Sequence, residues 1–116
     1  MSSNLHLLIL DAYDRKGRQA LTDSHTPQAH DLYKALLFKY APGAQIDVCF
    51  PADIDTPLPS QQALESYSGV IWTGSSLTIY HKIPEVERQI QLAQKFFEIG
   101  IPSFGSCWGA QLAVVA

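Results

Sequence analysis

Short apolar runs alternate with segments of helical periodicity along the chain. Leu5 and residues 7–10 form a nearly continuous apolar run that ends at Asp11, which is the pattern of a strand buried on both faces of a parallel sheet. Three later apolar runs predict further strands over residues 46–50, 69–72 and 101–104. The hydrophobic pattern therefore predicts four strands separated by longer segments, and the first of them is expected to be buried on both faces.

Two of the separating segments carry helix signals. The first has Thr26 as a candidate N-cap and Pro27 in its first turn, and apolar residues then recur at helical spacing up to Tyr40. The second begins at Pro84 and is stopped by Gly100. Its predicted buried face consists of Val86, Ile90, Ala93 and Phe97.

The remaining segments are predicted to be less regular. Residues 61–67 form a short helix, and residues 11–25 form a solvated surface loop that could border a substrate site. Another helix starts at Trp108 and reaches Ala116 after about nine residues. We therefore expect residues 1–116 to form a single domain that is incomplete.

Strands that alternate with helices require right-handed crossovers. The predicted fold is therefore α/β, with a doubly wound (flavodoxin-like) parallel sheet that carries helices on both faces. In such sheets the chemistry lies beyond the carboxyl ends of the strands. Here those positions are Asp11 onward, Pro51 onward, residues 73–76 and residues 106–108.

Composition excludes several classes of function. Charged residues make up only 16% of the chain and the formal net charge is −3, so neither a nucleic acid nor an acidic membrane is an expected partner. The first apolar run is too short to span a membrane and lacks the charged lead of a signal peptide. Cys49 and Cys107 are too far apart for a redox or metal motif. We expect a cytoplasmic protein that needs no metal or cofactor.

Residues 105–109 form a Gly-x-Cys-x-Gly motif between the fourth predicted strand and the last predicted helix. Gly105 and Gly109 permit a strained turn that exposes the side chain of Cys107. The start of the following helix favours the thiolate and lowers the pKa of this cysteine from about 8.5. The backbone N–H of Trp108 then points to where an oxyanion would form, and Gly74, after the third strand, is the candidate for a second donor.

A buried structural thiol is the alternative interpretation of Cys107, because free cysteine is often buried. The flanking glycines, the preceding strand and the following helix favour the nucleophile. Cys49 lies in mid-strand without such neighbours, so it is predicted to be a core residue.

The segment Gly-Ser-Cys-Trp-Gly-Ala-Gln over residues 105–111 resembles the Gly-x-Cys-x-Gly-x-Gln signature of class I (triad) glutamine amidotransferases. Residues 70–76 resemble the glycine loop of the same family. The resemblance implies that Cys107 attacks the side-chain amide of glutamine and forms a glutamyl thioester. It also implies that Gln111 helps to hold the glutamine. Ammonia would then leave for a synthetase domain or subunit.

The sequence departs from this family in its base. The family takes a histidine and a glutamate from a downstream His-x-Glu motif, and no such motif occurs in these 116 residues. His6 is predicted to be packed or at an edge of the first strand, and His25 and His30 are predicted to be solvated surface residues. His81 lies nearest to the expected site. Without the base, the glutaminase activity of this chain is expected to be weak or absent.

Two further departures are milder, because the backbone supplies both expected donors. Ser75 stands where the glycine loop commonly has a second glycine, and Trp108 is bulkier than the usual residue.

Two other classes share the elbow. Cysteine hydrolases and chaperone-like proteins of the DJ-1/PfpI group often have a histidine directly after the cysteine, whereas Trp108 and Gln111 favour the amidotransferase family here. A noncatalytic binding module could also keep the elbow after losing the base.

Overall fold

Four parallel strands form the centre of the molecule. The computed structural model describes residues 5–75, 77 and 83–105. The elements are β1 (His6–Leu10), α1 (Arg15–Asp23), α2 (Ala29–Tyr40), β2 (Gln45–Cys49), α3 (Gln61–Glu65), β3 (Gly69–Trp72), α4 (Pro84–Ile99) and β4 (Ser103–Gly105).

The strand order is β2-β1-β3-β4, and every neighbouring pair is parallel. From β1 the chain crosses to β2 on one side, and it later adds β3 and β4 on the other side. Right-handed crossovers in opposite directions place their helices on opposite faces of the sheet. The predicted doubly wound α/β fold is therefore confirmed, and the order is compatible with a flavodoxin-like sheet.

One face of the sheet carries the main hydrophobic core. Leu8 and Leu10 of β1 and Val70 and Trp72 of β3 pack there against α3 and α4. Ile9 points to the opposite face and is also fully buried. The long apolar run of β1 is explained by this burial on both faces, because α3 and α4 cover one face of the sheet and α2 contacts β1 as well.

The buried face of α4 differs from the predicted one. Phe96 is fully buried, whereas Phe97 is 50% exposed. The buried stripe includes Gln89, a polar residue at a core position, whose amide nitrogen donates to the carbonyl of Glu85 at 3.0 Å. This glutamine interrupted the hydrophobic pattern, so the predicted face was shifted toward Ile90 and Phe97.

The predicted surface loop over residues 11–25 contains helix α1, so that prediction was wrong. The Asp14 carboxylate caps the helix by accepting a hydrogen bond from the backbone N–H of Gly17 at 2.7 Å. None of the nine residues of α1 is buried. Its apolar residues Ala20 and Leu21 are adjacent, so no apolar residue recurs at helical spacing from which to predict the helix.

Helix α2 begins later than its predicted cap. Gln28 is its N-cap residue, and Thr26 instead bonds through its N–H to the carbonyl of Leu21 at the end of α1. His25 adopts the left-handed conformation, with a φ of 58°. The turn that ends α1 therefore occupies the position predicted for the cap of α2.

Strand β4 begins two residues later than predicted, and Ile101, which was expected to start it, instead donates its N–H to the last turn of α4. Gly100 has a φ of 85° and stops the helix, as predicted, and the N–H groups of Gly100 and Ile101 both donate to the carbonyl of Phe96. All three residues of β4 are exposed, and Phe104 is 68% exposed. Across residues 5–75, 77 and 83–105, no helix combines the length and the apolar character that crossing a membrane requires.

Candidate functional site

The carboxyl ends of β1, β3 and β4 lie side by side, and two of the predicted site residues are found there. Gly74 follows β3, and Gly105 is the last residue of β4. Cys107, Trp108, Gly109 and Gln111, as well as the candidate base His81, lie outside the described residues.

The pairing of β3 with β4 fixes the position of the loop after β3 relative to Gly105. This loop begins with residues 73–75 and is called the glycine loop below. Trp72 pairs with Gly105 on the neighbouring parallel strand. Gly74 comes two residues after Trp72, and the Gly-x-Cys-x-Gly motif begins at Gly105. Adjacent strands are about 4.8 Å apart. The glycine loop and the start of the predicted elbow therefore leave the sheet at the same level and on neighbouring strands.

Two hydroxyl groups hold the glycine loop. The Thr73 hydroxyl accepts a hydrogen bond from the N–H of Ala12 at 2.9 Å and donates one to the carbonyl of Gly74 at 2.8 Å. The Ser75 hydroxyl donates to the carbonyl of Ala12 at 2.8 Å and accepts from the N–H of Leu77 at 3.0 Å. The loop after β3 is thus joined to the loop after β1 by both polar groups of one backbone residue.

Among the described residues, nothing stands where a side chain of Gly74 would lie. A Cβ atom built on this residue meets none of their heavy atoms within 4 Å. No hydrogen bond from the N–H of Gly74 or Ser75 is found among the described residues. The loop therefore presents donor groups that the described part of the chain leaves available to a ligand.

A histidine and a buried carboxylate meet at the end of β1. The Asp11 side chain is wholly buried, and its Oδ2 atom lies 2.7 Å from Nδ1 of His30. Its Oδ1 atom accepts a hydrogen bond from the N–H of Tyr13 at 3.1 Å. The His30 ring also packs edge-on against Phe50, with 5.2 Å between the ring centres.

The prediction that His30 is a solvated surface residue was therefore wrong, because its side chain is only 20% exposed. Its partner lies 19 residues earlier and is brought to it by the fold, so no local sequence pattern could reveal the pair. His25 is exposed, as predicted. His6 is packed in β1, since its Nε2 atom lies 2.8 Å from Asp47 and its ring lies 4.4 Å from that of Tyr67.

An ion pair between a partly buried arginine and a buried aspartate joins α1 to the loop after β2. Arg18 donates to both carboxylate oxygens of Asp53, at 3.1 and 2.8 Å, and to the carbonyl of Tyr13 at 2.8 Å. Its guanidinium lies 4.4 Å from the centre of the Phe50 ring. Asp53 is buried. The pair could not be predicted from the sequence, because its two residues are 35 positions apart and only the folded chain brings α1 against that loop.

The start of α1 also borders a charged cavity. This cavity has a volume of about 340 Å³ and lies between the start of α1, the loop after β2 and the start of α4. Its charged lining residues are Asp14, Arg15, Lys16, Asp53, Asp55 and Glu85. Residues 11–25 thus border an open cavity lined largely by charged residues at the carboxyl edge of the sheet.

Cys49 at the end of β2 is poorly suited to act as a nucleophile. It is partly buried and packs against the hydrophobic core, as predicted. Burial raises the pKa of its thiol to about 11, against a smaller opposing effect from the positive charge of Arg88. At neutral pH this thiol is almost entirely protonated. Within the described ranges, no group of three or more His, Cys, Asp or Glu side chains is arranged to hold a metal ion.

The chain is similar to the gamma-glutamyl-L-1-hydroxyisopropylamide hydrolase of Pseudomonas sp. The two sequences are 38% identical over 112 residues, which is 97% of this chain and 37% of the relative. At most four residues lie outside the aligned stretch, so it includes residues 105–111. The chain thus spans little more than a third of the length of this curated relative.

No protein-family model matches the chain, and no solved structure matches it. The similarity to the Pseudomonas hydrolase fits the broad glutamine amidotransferase-like group that the motif over residues 105–111 indicates.

Proposed function

We propose that this chain carries the cysteine nucleophile of a γ-glutamyl amide hydrolase. The observation that supports the proposal is the register of Trp72 with Gly105, which brings the loop after β3 beside the residue at which the predicted elbow begins. The similarity to a hydrolase whose name specifies a γ-glutamyl amide supports the same chemistry. The two lines of support are independent, because one is geometric and the other is a comparison of sequences.

The reaction has two steps. The Cys107 thiolate attacks the γ-carbonyl carbon, a C–S bond forms, and the carbonyl oxygen becomes an oxyanion that accepts hydrogen bonds from the N–H groups of Trp108 and Gly74. The intermediate then collapses, the C–N bond breaks, and the nitrogen leaves as an amine after taking up a proton. Water attacks the resulting glutamyl thioester and releases glutamate and the free thiol.

The substrate is a γ-glutamyl amide, of which glutamine is the simplest. Glutamine carries no substituent on its amide nitrogen and releases ammonia, whereas the substrate named for the Pseudomonas relative carries an alkyl substituent and would release an amine. Both reactions break the same γ-carbonyl to nitrogen bond. In either case Gln111 would help to hold the glutamyl group.

Transfer of ammonia from glutamine to a synthetase domain or subunit is the second candidate. It is favoured by the motif over residues 105–111, which resembles the amidotransferase signature through Gln111. The two candidates differ in their preferred amide, so parallel assays of glutamine and of γ-glutamyl isopropylamide distinguish them.

Full turnover by these 116 residues should be slow, because the sequence contains no His-x-Glu motif to supply a base. Loss of the base of a catalytic triad costs on the order of 10⁴ to 10⁶ in turnover. We therefore expect glutamine hydrolysis far below about 1 s⁻¹, the low end for ordinary enzymes. Cysteine-dependent turnover at or above that rate would contradict this expectation and would make His81 the first residue to substitute.

A single-turnover acylation assay tests the proposal without requiring this slow turnover. The chain is mixed with γ-glutamyl p-nitroanilide, whose arylamine leaves more readily than ammonia, and mass spectrometry then locates any glutamyl adduct. The expected result is an adduct on Cys107 that is absent from Cys107→Ala and retained by Cys49→Ala. An adduct on Cys49, or none on the wild-type chain, would rule out the proposed nucleophile. The β-aspartyl p-nitroanilide, which is one methylene shorter, serves as the specificity control.

A further inference from the structure

We infer that Thr73 and Ser75 are positioning residues that hold the glycine loop in the form that stabilises the oxyanion. This inference rests on the proposed function, since it concerns the same site. It assigns a role to two side chains in a loop from which only a backbone donor was expected.

Thr73 fixes the loop from the β3 side. Its backbone N–H donates to the carbonyl of Leu10 at 3.0 Å, which continues the pairing of β3 with β1. Its buried hydroxyl accepts from Ala12 and donates to the carbonyl of Gly74. This hydroxyl therefore acts both as an acceptor and as a donor. The hydrogen bond that it donates fixes the direction of the Gly74 carbonyl.

The direction of the Gly74 carbonyl determines the direction of the next N–H. A trans peptide is planar, so its C=O and N–H groups point in opposite directions. With the Gly74 carbonyl held by Thr73, the N–H of Ser75 points away from the Thr73 hydroxyl. The N–H of Gly74 belongs to the preceding peptide, which lies between the Thr73 N–H bonded to Leu10 and the Gly74 carbonyl bonded to the Thr73 hydroxyl. Neither this N–H nor that of Ser75 donates a hydrogen bond within the described part of the chain, so both are donors that the loop can offer.

Ser75 fixes the loop from the other side. Its hydroxyl bridges the carbonyl of Ala12 and the N–H of Leu77, at 2.8 and 3.0 Å. A glycine at this position could make neither bond. The serine that replaces the glycine common in similar loops thus supplies an anchor to the loop after β1.

The anchor itself is rigid. Ala12 is fully buried, and the preceding residue Asp11 bonds through its N–H to the carbonyl of Cys49 at 2.9 Å. The Asp11 carboxylate binds His30 on one side and the N–H of Tyr13 on the other. The polar groups of Ala12 are therefore held in place by contacts from both sides, so the hydroxyls of Thr73 and Ser75 attach the glycine loop to a fixed point.

Such positioning affects one kind of reaction at Cys107 and not another. Attack on a γ-glutamyl carbonyl builds an oxyanion, and donors that are already oriented lower its free energy. Attack on iodoacetamide displaces iodide and builds no oxyanion, so its rate reports only the thiolate. Loosening the loop should therefore slow acylation and leave alkylation unchanged.

The test compares Thr73→Val and Ser75→Ala with the wild-type chain. Removing an oxyanion donor outright costs about 10² to 10³ in rate, and we expect loosening it to slow acylation by γ-glutamyl p-nitroanilide by about tenfold or more. The substrate concentration for half-maximal acylation and the rate of alkylation of Cys107 should stay within about twofold, since neither depends on an oriented oxyanion donor. Thr73→Ser and Ser75→Thr keep the hydroxyl and should restore acylation. Ser66→Ala removes a hydroxyl that bonds the Ala63 carbonyl on α3, and it should leave both rates unchanged.

Each outcome decides one of the two proposals. If the wild-type chain forms no adduct on Cys107, the proposed function fails and the positioning role fails with it. If the wild type forms the adduct and Ser75→Ala forms it equally fast, only the positioning role is overturned. Should Thr73→Val fail to fold, Ser75→Ala carries the test alone. If alkylation and acylation fall together in Ser75→Ala, and Ser75→Thr restores neither, the role of Ser75 is merely structural and the positioning role is overturned.

Discussion

The Nδ1 atom of His30 lies 2.7 Å from the Oδ2 atom of Asp11, a carboxylate that is completely buried. The contact joins the first turn of α2 to the end of β1, directly beside the residue that anchors the glycine loop. A buried carboxylate requires partners for its lone pairs, because their desolvation is costly. In the part of the chain that the structure describes, its partners are the His30 ring and the N–H of Tyr13.

Removing the His30 ring should destabilise the fold. His30→Ala leaves the buried Asp11 carboxylate with one partner fewer, and we expect the free energy of unfolding to fall by about 2–3 kcal/mol. Urea denaturation followed by tryptophan fluorescence measures this change. His25→Asn is the matched control, because His25 is exposed and asparagine also tolerates its left-handed conformation. A loss in the control as large as that in His30→Ala would contradict this account.

The two cysteines should differ in reactivity. With a pKa of about 11, the Cys49 thiol is ionised only to about 10⁻⁴ at pH 7, whereas the predicted helix start after Cys107 favours its thiolate. Iodoacetamide at pH 7 should therefore modify Cys107 first, and Cys49 should become reactive only as the pH approaches 11. Peptide mapping after short exposure measures the two rates. Faster modification of Cys49 in the folded chain would remove the basis for the elbow.

Two glycines should respond in opposite ways to alanine. Gly100 has a φ of 85°, a left-handed conformation that costs a residue with a side chain about 1–2 kcal/mol. Gly74 lies outside that region, and no heavy atom of the described residues lies within 4 Å of its missing Cβ. Gly100→Ala should therefore lower the free energy of unfolding by about 1 kcal/mol, and Gly74→Ala should leave it unchanged or raise it by up to about 1 kcal/mol.

Gly74→Ala should nevertheless slow acylation of Cys107, because its methyl group would lie beside the predicted oxyanion donor. Equal destabilisation by the two alanines would show that the assigned conformations are wrong.

The contact between Tyr67 and Asp47 should make stability depend on alkaline pH. Burial, together with the hydrogen bond that the Tyr67 hydroxyl donates to Asp47 at 2.9 Å, raises the pKa of Tyr67 to about 12 from its ordinary value near 10. The folded state therefore holds this proton more tightly than the unfolded state does. The resulting stabilisation is complete below pH 10 and is lost as the pH rises through about 12.

Tyr67→Phe tests this dependence. The variant should be less stable by about 0.5–1.5 kcal/mol at pH 7, and its difference from the wild type should shrink above pH 10. Denaturant titrations between pH 7 and pH 11.5 measure it. A difference that stays constant to the highest pH would contradict the assignment.

The hydrogen bonds of Asp47 with His6 and Tyr67 should stabilise the fold less in acid. The hydrogen bond with His6 lowers the pKa of Asp47, and the bond from Tyr67 adds to this effect. A carboxyl whose folded-state pKa is lowered stabilises the fold above its unfolded pKa near 4, and this stabilisation is lost as the pH falls through the folded value. The free energy of unfolding should therefore fall between pH 6 and pH 3, and it should fall less in Asp47→Asn than in the wild type. Urea denaturation at the two pH values measures both changes, and an equal fall in the two proteins would contradict this assignment.

The sequence predicted the elements that bury apolar side chains. β1, β2 and β3 appeared as apolar runs, and the ends of α4 were visible in Pro84 and Gly100. Helix α1 was missed because its apolar residues do not recur at helical spacing. The buried stripe of α4 was misplaced because Gln89, a polar residue, occupies a core position.

Only the part of the candidate site that lies in one continuous motif could be predicted from the sequence. The Gly-x-Cys-x-Gly segment is contiguous, so its glycines and its cysteine can be recognised together. The pairs of Asp11 with His30 and of Arg18 with Asp53 join residues that only the folded sheet brings together. The roles of Thr73 and Ser75 likewise depend on the backbone of Ala12, whose N–H and carbonyl leave no trace in the sequence.

The central place of β1 also has a consequence for synthesis on the ribosome. Leu7 pairs with Ile46 on one side and with Gly69 on the other, so β1 emerges before both of its partner strands and completes its pairing only after β3 has emerged. At about 5–20 residues per second, this strand stays without its second neighbour for about 3–12 s. Its early exposure makes β1 the segment of the nascent chain on which a chaperone would act.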